Sequence, residues 1–331
     1  MWTASNAVRL PFGPAARHSE VAPEIEDEFT AQVIDGLSRP RKRLPCRFFY
    51  DARGSELFEE ITRLPEYYPT RTEAKILAAH AGEMTDGIAD DGVLVEFGSG
   101  SSRKTEILLE QLPPHVAYVA VDVSGSALDD AKRRLAGRFP GLDVRPIVGD
   151  FSHPIQLPSD LASRPKTGFF PGSTIGNLTP VEAARLLGVF RCGLSPGGRL
   201  IIGIDLTKDA RKLVRAYNDA AGVTAAFNLN LLARINREID DAFDLDAFRH
   251  EAIYDPREGR IEMHLVSLGE QEVRICGRRF RFRAGETIHT ENSYKYSVDQ
   301  FRDLSRAAGW LPDRVWTDED NNFSVHELVS P

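Results

Sequence analysis

From Gly92 to about Thr207, short continuous apolar runs alternate with amphipathic stretches: "VLVEFGSG", "SRKTEILLEQL", "VAYVAVDVS", "SALDDAKRRLAGRF", "LDVRPIVGDF", "TGFFPGSTIGN", "PVEAARLLGVFRCGL" and "GGRLIIGIDL". Unbroken apolar runs suit strands covered on both faces, and the amphipathic segments between them suit crossover helices. The alternation predicts an α/β fold with an open, doubly wound, mostly parallel sheet, whose ligands sit at the carboxyl ends of the strands. Glu96, Asp122, Asp150 and the "GSTIGN" loop fall at those ends. After Asp205 the pattern changes to one long helical stretch, "KLVRAYNDAAGVTAAFNLNLLARINREI". The strand-like segments "RIEMHLVSL", "EVRICGRRFRF" and "ETIHTENSYKYS" follow, and the whole block reads as an inserted lid. Beyond it, a helix at "VDQFRDLSRAAG" and two strands around "DEDNN" are placed to close the sheet.

Length changes this picture only by allowing an accessory domain, since 331 residues exceed the roughly 250 to 300 at which single cores stop growing. A net charge of -8 removes the electrostatic footprint of a nucleic-acid binder, and the basic run "RPRKRLP" at 39–45 reads as a solvated loop. No apolar run approaches the ~20 residues of a membrane span. Residues 1–20 lack the apolar core of a secretory signal and read as a flexible arm, so the expectation is a cytoplasmic protein. Cys46, Cys192 and Cys276 are too scattered for a metal or redox pair and read as buried or incidental thiols.

The stretch "VLVEFGSGSSRKT" carries the candidate chemistry. A dinucleotide site calls for G-x-G-x-x-G, and here Gly98 and Gly100 are present while Arg103 fills the third place. Asp122 ends the next strand, where a carboxylate accepts from ribose hydroxyls, and Asp150 ends the third beside Phe151, an aromatic suited to adenine. Acids at three successive strand ends repel a polyphosphate and tolerate a cationic nucleoside. S-adenosylmethionine fits. Lys104 opens the following helix, either to hold the methionine carboxylate or to point into solvent.

Further segments carry a more specific resemblance: "FFYDARGSELFEEITRLPEYYPTRTEAKIL" (48–77), "GSTIGNLTP" (172–180), "RAYNDAAGVTAAFN" (215–228), "FDLDAF" (243–248), "RIEMHL" (260–265) and "HTENSYKYS" (289–297). In these the chain resembles the bacterial L-histidine Nα-methyltransferases of the ergothioneine pathway, in order, from about residue 44 to the carboxyl terminus. The resemblance implies trimethylation of the α-amine of free L-histidine to hercynine, through the mono- and dimethylated forms. It also implies a class I methyltransferase-like sheet with a second, substrate-binding α+β domain. That domain would take residues 21–71 and 208–296, and the S-adenosylmethionine-binding domain 72–207 and 297–331.

Carried over position by position, the resemblance puts the cofactor against Tyr50, Gly98, Lys104, Asp122, Asp150 and Phe151. All but Tyr50 are also reached from the strand ends. It implies that Asn177 and Tyr217 take the substrate carboxylate, that Tyr67 and Asn177 lie near the reacting amine, that Glu291 and Ser293 hold the imidazole, and that Met263 packs against the ring. Taken singly, each has a plainer reading: Asn177 as cap of the helix beginning at Pro180, Tyr67 and Met263 as core, Glu291 as a solvated strand acid. Transfer would be direct and in line, without a covalent intermediate, a metal or an obligate protein partner. Rival readings are the same chemistry on a tryptophan derivative or histidine analogue, a nicotinamide dehydrogenase, or a methyltransferase-like protein that only binds.

Overall fold

The computed structural model describes residues 23–100, 103–194, 196–239 and 243–331, so the expected arm at 1–20 lies outside the described residues. The chain enters through helix α1 (Pro23–Ser38), strand β1 (Lys42–Arg43) and a 3-10 turn at Cys46–Phe49, then forms α2 (Ala52–Ile61) and α3 (Tyr68–Thr85). Strands and helices then alternate as β2 (Val93–Phe97), α4 (Thr105–Leu109), β3 (Ala117–Asp122), α5 (Gly125–Arg138), β4 (Asp143–Val148), β5 (Lys166–Phe170), α6 (Pro180–Leu194) and β6 (Arg199–Asp205). Next come α7 (Ala210–Tyr217), α8 (Val223–Ile239), β7 (Phe248–Asp255), β8 (Arg260–Ser267), β9 (Gln271–Ile275), β10 (Arg278–Phe282) and β11 (Thr287–Tyr294). The chain ends with α9 (Val298–Ala307), β12 (Leu311–Thr317) and β13 (Phe323–Val329).

Seven strands form the main sheet in the order β12-β13-β6-β5-β2-β3-β4. β4, β3, β2, β5 and β6 pair in parallel, and β13 runs antiparallel to both β6 and β12. The order reverses between β2 and β5, which is where an open sheet of this kind opens a crevice at its carboxyl edge. β2 is buried at all its positions, with helices against both faces and Phe97 stacked on Phe190 of α6 at 4.0 Å between ring centroids.

A second sheet, in the order β1-β11-β8-β7, packs beside it. One apolar cluster joins early residues such as Phe29, Phe49 and Leu57 to Phe227 and Leu231 of α8 and to Leu265 of β8. The start of the chain and the block after β6 therefore share one core. The pairing of β11 with β8 contains a bulge: His289 lies opposite His264, and the next partner pair is Glu291 with Met263, so Thr290 is the extra residue. Its hydroxyl donates to Asn228 Oδ1 at 2.8 Å and to the Met263 carbonyl at 3.1 Å. Ile288 and Glu291, three positions apart, thereby have inward-facing partners Leu265 and Met263, which an unbroken strand cannot achieve.

The expected long helix is broken between α7 and α8. Asp219 accepts from the Val223 and Thr224 amides and so caps α8, while Gly222 takes a positive φ of 75°. "EVRICGRRFRF" forms a complete hairpin, β9 with β10.

Candidate functional site

The glycine loop leaves β2 at the centre of the main sheet. Gly98 has φ 72°, and a Cβ on it would lie 3.1 Å from the Phe151 ring, so only glycine lets the loop pass under that aromatic. Asp122 binds the loop directly, accepting from Gly100 N at 2.8 Å and from Ser124 N at 2.9 Å. Asp150 accepts from Ser152 N at 2.8 Å and lies 3.7 Å from Arg47 in the 3-10 turn that precedes Tyr50. Burial pushes its carboxyl up, but Ser152, His153 and Arg47 outweigh this and hold it below its usual range. Tyr50, Asp122, Asp150 and Phe151 all keep surface accessible at this edge. A phosphate-free nucleoside fits such a donor set, since two half-exposed carboxylates oppose a polyphosphate.

One strand-end expectation changes, and the helix-start lysine has a partner. Glu96, at 1% exposure, turns into the fold, accepting from Thr105 Oγ1 at 2.6 Å and from the Tyr118 hydroxyl. It is therefore not aligned with Asp122 and Asp150 at the crevice. Burial pushes its carboxyl up to about 7. Lys104 neither waits for a ligand alone nor points into solvent. It pairs at 2.5 Å with Glu73 of α3, a wholly buried carboxylate that also accepts from Gly172 N at 2.9 Å.

The other wall is the inner face of the second sheet. Met263 and Glu291 are directly opposed, and Ser293 opposes Ile261 on the same face. The Glu291 carboxylate has no hydrogen-bond partner among the described residues. Burial pushes it up to about 7, with the charge of Lys295 offsetting only part of the shift. Its charge in turn suppresses the acidity of Cys46, Tyr67 and Tyr217, each primarily raised by burial, and that of Tyr50, which is 40% exposed. These side chains surround one point. Tyr67 and Tyr217 meet edge to face at 6.2 Å between centroids.

Asn177 ends the 3-10 turn at Thr174–Asn177 after β5. It does not cap α6: Thr179 does, its Oγ1 accepting from the Glu182 amide at 3.4 Å while its own amide donates to the Glu182 carboxylate at 2.9 Å. The Asn177 amide thus has no hydrogen-bond partner among the described residues and lies at the strand-end crevice.

Beneath Tyr217 and Ser293 is a charged network that pattern reading misses. Asp205, 1% exposed at the end of β6, pairs with Lys295 at 2.7 Å and with Lys208, and accepts from the Tyr68 hydroxyl at 2.7 and 2.8 Å. Lys295 also reaches Ser293 Oγ at 2.6 Å and the Tyr217 hydroxyl at 3.1 Å, and those two hydroxyls are 2.7 Å apart. Burial raises the Asp205 carboxyl, but the two ammonium groups outweigh it and hold it below the usual range. The signal available was spacing, since Glu291, Ser293 and Lys295 alternate along one extended segment.

Comparisons with known proteins agree along nearly the whole chain. The profile of a family described as histidine-specific methyltransferase, SAM-dependent, matches residues 29–330. The chain is 42% identical over 306 residues to a histidine N-alpha-methyltransferase of Mycolicibacterium smegmatis, covering 90% of this chain and 93% of that one. It is 43% identical over 302 residues to the protein of that name from Mycobacterium tuberculosis, covering 88% and 92%. Ergothioneine biosynthesis protein 1 of Neurospora crassa is 31% identical over 308 residues, which are 89% of this chain and 34% of that longer one.

Proposed function

The chain belongs to the histidine-specific, S-adenosylmethionine-dependent methyltransferases, and from that premise we propose that it methylates the α-amine of free L-histidine three times, giving hercynine for ergothioneine biosynthesis in the cytoplasm. The observation that carries the substrate assignment is the unpartnered Glu291 carboxylate opposite Met263. A partly buried acid that faces the crevice with no protein donor is open to a donor brought by a ligand, and an imidazole N–H supplies one.

Gly98, Lys104, Asp122, Asp150, Phe151 and Tyr50 hold the cofactor, with Glu73 fixing the Lys104 ammonium. When bound, S-adenosylmethionine supplies an electrophilic sulfonium methyl. Tyr217 and Asn177 take the substrate carboxylate with a phenol and an amide, which bring no fixed positive charge of their own beside the sulfonium. Tyr67 and Asn177 orient the amine, and Tyr67 passes its departing proton to water. Because burial and the neighbouring Tyr217 and Glu291 raise the Tyr67 phenol well above its usual range, it stays protonated and acts by hydrogen bonding. The chain contributes position and desolvation.

Asp122→Ala is expected to weaken S-adenosylmethionine binding by about 1.5–3 kcal/mol, the scale of a hydrogen bond to a charged group. Titration calorimetry giving unchanged affinity in a folded variant would remove Asp122 from the site. With saturating histidine, the rate should climb between roughly pH 7 and 9, because the attacking amine must be neutral and α-amines titrate near ~8. Mass spectrometry should show mono-, di- and trimethylhistidine in succession. A flat pH profile with chemistry rate-limiting contradicts attack by the neutral amine.

The same chemistry on a tryptophan derivative is the second reading. It is disfavoured by the pairing of two polar readers, Glu291 and Ser293, on one face, since an indole has one N–H and no second ring nitrogen to engage the other.

A further inference from the structure

The three protons of the Lys295 ammonium are all committed, to Asp205 Oδ2 at 2.7 Å, Ser293 Oγ at 2.6 Å and the Tyr217 hydroxyl at 3.1 Å. An ammonium only donates, so both hydroxyl oxygens accept from it. One further proton fills the 2.7 Å contact between the two hydroxyls, and one is left over. If Tyr217 donates to Ser293, the phenol turns a lone pair towards the incoming carboxylate, and two acceptors face each other. If Ser293 donates to Tyr217, the phenol proton points at the carboxylate and Ser293 keeps one lone pair for the ring. Only the second arrangement satisfies an amino acid whose carboxylate lies at Tyr217.

We propose that Lys295 is a positioning residue that fixes this polarity, making Tyr217 a donor to the substrate carboxylate and Ser293 an acceptor, so that the ring is read through an N–H at Ser293 and a second, shared proton at Glu291. The inference rests on the assignment of Tyr217, Ser293 and Glu291 as substrate contacts made above. Its consequence is a proton count. The ring and Glu291 together hold one proton more in the complex than a neutral ring and a free carboxylate hold apart, either as imidazolium with carboxylate or as imidazole with carboxylic acid. The titratable groups facing Glu291 are Cys46, Tyr50, Tyr67, Tyr217 and Lys295. The thiol, pushed up to about 12, and the phenols, raised from an ordinary value of 10.0 that already lies above pH 8, stay neutral, so none of them supplies or competes for that proton.

The unmodified enzyme tests the count. With S-adenosylhomocysteine bound, hercynine is titrated calorimetrically at pH 8 in buffers of different ionisation enthalpy. Its trimethylammonium cannot titrate. Lys208, lowered by burial to about 8 beside Asp205, can also change its proton count at this pH, so the share of the uptake that is lost in Glu291→Gln is the share that belongs to the ring and Glu291. Uptake approaching one proton per hercynine is the expected result, and binding without uptake overturns the proposal. Failure of hercynine to bind while histidine is not methylated would overturn the functional assignment itself.

A variant tests the role of Lys295. Thiazolylalanine, whose ring has an acceptor nitrogen and no N–H, should be rejected relative to histidine by the native enzyme. In Lys295→Met, Ser293 is released to donate, and the ratio of kcat/KM for histidine over thiazolylalanine should shrink about tenfold, the scale of one hydrogen bond. Lys295→Leu combined with Asp205→Asn, which removes the donor to Ser293 without leaving a buried carboxylate unpaired, serves if Lys295→Met does not fold. A purely structural lysine predicts lower activity on both substrates at an unchanged ratio, and that result overturns the assignment.

Discussion

Glu291→Ala should lower kcat/KM for histidine about 10- to 150-fold, the value of one charge-assisted hydrogen bond of ~1.5–3 kcal/mol. The same replacement should stabilise the ligand-free protein, because it removes a carboxylate that burial has pushed up to about 7. The direction follows from linkage: a carboxyl raised in the folded state costs nothing below its unfolded value near 4.5, and its cost grows as pH rises to the folded value. The gain in Tm over the native enzyme should therefore be larger at pH 8 than at pH 5. Loss of activity together with loss of stability would mark Glu291 as support for the fold rather than a reader of the ring. Adding Met263→Val opens space against the same point, since Met263 is the direct cross-strand partner of Glu291. The double variant should shift the ratio of kcat/KM for histidine over tryptophan towards tryptophan, because an apolar ring no longer strands a desolvated charge. A constant ratio in a folded, cofactor-binding double variant removes Glu291 from the role of ring reader.

Asp205→Ala should destabilise the protein by about 3–5 kcal/mol, the cost of leaving buried partners unpaired. Lys295 is fully buried and Lys208 nearly so, and both pair with this one carboxylate, as does the Tyr68 hydroxyl. Asp205→Asn retains acceptors for the phenol and one lysine and should lose less. Since the native carboxyl is held below its ordinary value, its stabilising contribution is present at neutral pH and disappears as pH falls through the folded value. The alanine variant should accordingly differ most from the native enzyme near neutrality and converge with it in acid. Unfolding free energies from denaturant titration within ~1 kcal/mol of each other at pH 7 would show that the two lysines find water when their partner is lost.

The doubly wound sheet was legible because its strands are buried on both faces and announce themselves as apolar runs, and Asp122 and Asp150 lie at their ends. Glu96 lies at a strand end in the same way, yet its partners Thr105 and Tyr118 come from the next helix and the next strand. Spacing alone cannot tell an acid satisfied by such neighbours from one left at the crevice. Asn177 was ambiguous for the same kind of reason, and what settles its cap role is Thr179 two residues on. Lys295 was hidden by its type, since a lysine beside a strand ordinarily reaches for water. The break after α7 was masked by helix-favouring alanines around Asn218 and Asp219.

The bulge at Thr290 has a consequence for comparing and redesigning such chains. Counted in strict alternation from buried Ile288, Thr290 and Asn292 would face inward and Glu291 and Ser293 outward; the bulge reverses this. Under the proposed roles of Glu291 and Ser293, specificity is stored partly as parity, as the odd or even number of residues between two inward positions, and not only as the letters at those positions. A graft that copies Glu291 and Ser293 onto an unbulged strand in phase with Ile288 would carry the right residues on the wrong side. An alignment that scores them as matched would give no warning.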